Sequence, residues 1–165
     1  MFAEYNYNSF PIVKVKLNHV ENDNDFDDFL QKWLDLYIQQ RDFTFIFDTT
    51  NVSYVPFKYS IRMSEFIRRL KKDYSYHYLQ KNIIIVNNSF VKNMLNIIFK
   101  LQSPVAPVYI LQEQDREHIN SILNGETIQD KICINPGNSY IPFLWFFKHI
   151  LYYIIIIYVS RKIYE

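Results

Sequence analysis

Hydrophobic and polar positions alternate along 11–17, PIVKVKL, with Val13, Val15 and Leu17 on one side and Lys14 and Lys16 on the other. That period of two predicts a half-buried strand whose lysines suit an exposed face or edge. The period then changes. Phe26, Phe29, Leu30, Trp33, Leu34 and Tyr37 recur at helical spacing, which predicts an amphipathic helix over 25–40, capped by Asn24 or Asp25. Residues 43–47, FTFIF, form an apolar run broken only by Thr44 and predict a central strand covered on both faces. A loop is expected over 51–59. A helix over 60–74 follows, with Met63, Phe66, Ile67 and Leu70 inward and Arg62, Arg68, Arg69, Lys71 and Lys72 outward. A second central strand over 82–86, a helix over 90–101 capped by Ser89, a strand over 108–111 and a helix over 115–123 complete the pattern. Gly125 stands just past the end of that last helix, where a C′ glycine belongs.

Strands thus take turns with helices, which predicts an α/β domain: a mostly parallel sheet of four to five strands with packed helices. The expected division is a domain over 1–130, a linker over 131–140 and an apolar tail over 141–165. The tail, IPFLWFFKHILYYIIIIYV over 141–159, is close to the ~20 residues that cross a bilayer. Its Leu, Ile and Phe each favour insertion by roughly 0.3–0.6 kcal/mol, against roughly 2.5–3.5 for a central lysine such as Lys148. A membrane anchor, a segment docked on the sheet or on a partner, and a poorly folded tail are three readings of this stretch. The β-branched run at 154–157 is an aggregation hazard where exposed.

Composition narrows the function. The formal net charge of +1 sets up no global field, and no basic stripe interleaved with aromatics appears, so nucleic acid is not an expected partner. The single cysteine, Cys133, rules out an internal disulfide and a multi-cysteine zinc site and suits a cytoplasmic setting. Only two glycines occur, Gly125 and Gly137. Phosphate-gripping loops need glycine at the first strand–helix turn, because a Cβ blocks the approach of backbone to phosphate. A P-loop is therefore excluded, a dinucleotide fold is not expected, and no serine is flanked by glycines as a nucleophile elbow requires. Asp23, Asp25 and Asp27 mimic the start of a calcium loop, but Asp28 and Leu34 stand where glycine and glutamate are required. No catalytic residue, metal ligand or cofactor site is expected, and the chain is read as a non-enzyme. The outward basic face of the helix over 60–74 reads as solvated surface, or with Lys58 and Arg62 as a site for an anionic partner or lipid headgroups.

The segment FIFDTTNVSYV over 45–55 resembles the second-strand signature of STAS domains, the modules of anti-sigma-factor antagonists and of sulfate-transporter cytoplasmic parts. Asp48, Val52, Ser53, Tyr54 and Val55 fit that pattern. Pro56, Phe57, Lys58 and Tyr59 stand where the family has Asp-Ser-Ser-Gly, so its serine phospho-switch is not implied here. The resemblance implies a STAS-like regulatory or protein-interaction module with an unknown protein partner. The expected partner-binding residues lie on the strand-end turn and the helix start: Asp48, Thr49, Thr50, Asn51, Ser53, Lys58 and Ser60. A second likeness, NIIIVN over 82–87 followed by the helix over 90–99, is similar to the C-terminal lobe of CRAL-TRIO lipid-transfer domains. It implies an alternative, a small lipid-binding protein with a cavity lined by Phe90, Ile97, Ile98 and Phe99.

Overall fold

A computed structural model of the chain describes residues 1–126 and 132–137. The described chain runs β1 (Ala3–Ser9), β2 (Ile12–Leu17), α1 (Asp23–Ile38), β3 (Phe43–Asp48), α2 (Phe57–Asp73), β4 (Leu79–Val86), α3 (Ser89–Leu101) and β5 (Val108–Gln112). A 3-10 turn (Glu113–His118), α4 (Ile119–Leu123) and β6 (Ile132–Ile134) follow. The six strands form one mixed sheet in the order β1-β2-β3-β4-β5-β6. Strands β2 to β5 are parallel, and antiparallel strands close both sides: β1 on β2, β6 on β5.

The expected α/β class and mostly parallel arrangement are present, with two strands added. Strand β1 was not expected, although Tyr5 and Tyr7 alternate with Glu4, Asn6 and Asn8. Strand β6 lies inside 131–140, the stretch read as a linker, and its register sets Cys133 opposite Tyr109. The tail over 141–165 lies outside the described residues. Among those described, no helix is long and apolar enough to cross a membrane.

A sequential strand order with right-handed crossovers sends every helix that joins two parallel strands to the same face. Accordingly α1, α2 and α3 all pack on one face of the sheet, on Val13, Val15, Phe45, Phe47, Ile84 and Ile110. Here the core is aromatic. Trp33 of α1 stands edge-on to Phe45, with centroids 4.8 Å apart, and Phe26 lies 4.7 Å from Tyr59 of α2. Full burial of each such ring contributes roughly 1.5–3 kcal/mol. The opposite face is covered over only part of its width. There Ile46, Ile83, Ile85 and Leu111 meet Ile122 of α4.

The helix caps differ from expectation by a residue or two. Asn22, not Asn24 or Asp25, caps α1 by accepting from the Asp25 amide, and Asn88, not Ser89, caps α3 by accepting from the Val91 amide. Helix α2 starts three residues early, at Phe57, which shortens the expected loop and puts Lys58 in the helix. The acidic run that opens α1 faces the basic start of α2. Asp23 pairs with Lys58 at 2.7 Å and accepts from Tyr59 Oη at 2.8 Å, and Asp27 pairs with Arg62.

Candidate functional site

The C-terminal ends of β3, β4 and β5 lie side by side, and their loops meet there. Asp48, the last residue of β3, takes its register beside Ile85 of β4 and Lys16 of β2. Its Oδ1 accepts from the Thr50 amide at 3.0 Å and the Thr50 hydroxyl at 2.6 Å, an Asx turn. Its Oδ2 accepts from Arg116 at 2.6 Å, and the same guanidinium is held by Glu113 through Nε at 2.7 Å. Burial pushes the Asp48 carboxyl up, but the Thr50 donors and the Arg116 charge outweigh it and hold the carboxyl below its ordinary value. The same pairing, with Glu113 first, raises Arg116 further.

The rest of the turn is braced in the same way. The Thr49 amide and hydroxyl both donate to the Ile85 carbonyl, at 3.1 and 2.7 Å. The Val52 amide closes the turn onto the Thr49 carbonyl at 2.9 Å. Asn87 donates to the Thr50 carbonyl, and Asn88 Nδ2 donates to the Val52 carbonyl at 2.8 Å while its Oδ1 caps α3. Asn51 Nδ2 reaches Asn18 at 3.0 Å.

The seven residues expected to bind a partner therefore separate. Thr49 and Ser60 are buried, and Ser60 Oγ turns inward to Met94 Sδ at 3.5 Å. Asp48, Thr50 and Lys58 are spent on bonds within the protein. Asn51 and Ser53 are exposed on the loop. Beside them stand residues outside that set of seven: Tyr54, 60% exposed and 5.3 Å from the Phe90 ring, and Phe57, 46% exposed. A tyrosine and a phenylalanine three residues apart in a loop-to-helix segment are visible in the sequence. Their exposure is not, because an aromatic at a helix start packs inward as readily as outward.

Two cavities flank this region. An open groove of about 960 Å³ lies on the sparsely covered face, edged by Lys14, Lys16, Asp48, Arg116 and Asn120. A smaller cavity of about 130 Å³ lies among the helices and the sheet, with an almost wholly apolar wall. Ile98 and Phe99 contribute to that wall, whereas Phe90 and Ile97 do not. Thr49, Val52 and Ser60, on the inner side of the turn, also line it. Among the described residues no group of three His, Cys, Asp or Glu side chains is placed to hold a metal.

No family model, curated protein or solved structure matches this chain.

Proposed function

We propose that the protein is a non-enzymatic, STAS-like interaction module of the cytoplasm, held at a membrane by segment 141–159. It engages a protein partner through the strand-end loop and the start of α2. One observation carries this reading. Tyr54 and Phe57, two of the six large hydrophobic side chains exposed among the described residues, project from a segment tied to β4 through Thr49, to the Asn88 cap of α3 through Val52, and to Asn18, just past β2, through Asn51. Exposed aromatics supply most of the binding energy at protein interfaces, and a braced loop loses little entropy when it docks. The order β-β-α-β-α-β-α-β-α also agrees with the STAS likeness of 45–55.

The contact set of this reading is Asn51, Ser53, Tyr54 and Phe57, with Asp48, Thr49, Thr50, Lys58 and Ser60 holding it in shape. The test is photo-crosslinking from a benzophenone amino acid placed at Ser53 in the full-length chain, in cells. A discrete adduct that Tyr54→Ala/Phe57→Ala abolishes is expected, while the same probe at Tyr76, exposed elsewhere on the surface, gives none. Identical adducts from both positions, or an adduct indifferent to the double variant, would remove this reading.

The lipid-binding alternative draws on the apolar cavity. Its volume of about 130 Å³ is close to the ~150 Å³ of cavities that accept a single benzene. A cavity of that size favours a compact ligand over a lipid acyl chain.

A further inference from the structure

Two residues that line the small cavity each bury a polar atom with no partner among the described residues. Asn82 sits on the helix-covered face of β4, beside Phe45 of β3 and Val108 of β5, and is 5% exposed. Its Oδ1 accepts no hydrogen bond. Trp33, 2% exposed, packs across Phe45 from α1, and its Nε1–H donates to nothing. Both residues line the cavity. A buried donor or acceptor left unpaired carries its full desolvation cost, and two of the five such atoms among the described residues belong to residues of this one cavity.

We infer that this cavity is a binding site for a small apolar ligand of about one aromatic ring that carries a hydroxyl, a compound of the phenol class. The inference stands apart from the partner-binding reading, because Tyr54 and Phe57 do not line the cavity. Indole nitrogen offers only a proton, and the amide oxygen offers only lone pairs. A hydroxyl can serve either one, donating to Asn82 Oδ1 or accepting from Trp33 Nε1. The remaining wall is aliphatic and aromatic, including Ile84, Val91 and Val108, and matches a ring. Half-buried Met63 of α2 and Leu95 and Ile98 of α3 also belong to the wall. There the helices meet through small side chains: Ser64 Oγ donates to the Ser60 carbonyl at 2.8 Å and reaches the Ile98 carbonyl at 3.4 Å.

The test uses the full chain with Trp145→Phe, which leaves Trp33 as the one indole reporter. Phenol, benzene and hexadecanoate are titrated separately while Trp33 emission and the melting temperature are followed. Phenol is expected to saturate at one site, shift the emission and raise the melting temperature. It should bind about tenfold more tightly than benzene, the margin of one buried hydrogen bond. Asn82→Leu should erase that preference while benzene still binds. If Asn82→Leu does not fold, Ala106→Leu serves as the second variant. Ala106 is on the cavity wall, and the added carbons should abolish binding of both rings. Absence of saturable binding by both rings at millimolar concentration overturns the proposal, as does binding that Ala106→Leu leaves unchanged. Hexadecanoate binding more tightly than phenol also overturns it and restores the lipid carrier.

Discussion

Asp48 spends both carboxylate oxygens inside the protein, one on Thr50 and one on Arg116. Its lowered pKa is therefore a statement about stability. A carboxyl held below its unfolded value stabilises the fold above that value, and the contribution disappears as pH falls through the folded-state pKa. Asp48→Asn is expected to cost about 1–2 kcal/mol at neutral pH. The gap to the native chain should close toward acid pH, where the native carboxyl is itself protonated. Thermal melts of both proteins between neutral and acid pH read this directly, and a gap that stays constant would show that charge plays no part. Half of this arrangement was legible in the sequence. An Asp two residues before a Thr at a strand end announces an Asx turn, but nothing local announces Arg116, which arrives from the far side of β5. The burial of Thr49 and Ser60 is not legible for a related reason. A small polar residue at a strand end or helix start has the same sequence signature whether it faces a partner or the core.

At the scale of elements, the chain's one described positive-φ glycine does what its position forecast. Gly125 follows α4 at φ 82°, its amide donates to the Ile122 carbonyl at 3.1 Å, and the Glu126 amide donates to Ser121 at 2.9 Å. These are the two bonds of a Schellman motif. A Cβ at Gly125 would meet nothing within 4 Å, so the cost of substitution is backbone strain alone. Gly125→Ala should destabilise by about 1–2 kcal/mol in a denaturant melt, with no change in the fold's circular dichroism. A loss near zero would mean that α4 ends differently in solution. Alternation and helical spacing made the central strands and α1 to α3 readable. Caps were less so, because Asn22, Asp23, Asn24 and Asp25 can each accept at a helix start. The choice fell to tertiary contacts: Asp23 is drawn to Lys58 and Tyr59, which leaves Asn22 to cap. Strand β6, three residues long, is too short to carry a period at all.

For the whole molecule, the proposed membrane tether makes a prediction about the tail. If segment 141–159 is a membrane anchor, alkaline carbonate should leave the full-length chain in the membrane pellet and release a version ending at Gly137. Full-length protein in the carbonate supernatant would end the tether reading. The described domain owes its architecture to a simple ordering, in which every strand sits beside its neighbours in sequence. Its outer edges are antiparallel strands, and its three long helices share one side. That ordering has a consequence for birth as well as for shape. A chain emerging from the ribosome lays each new strand against one already made, so the sheet can widen at the pace of translation with no gap held open for a latecomer.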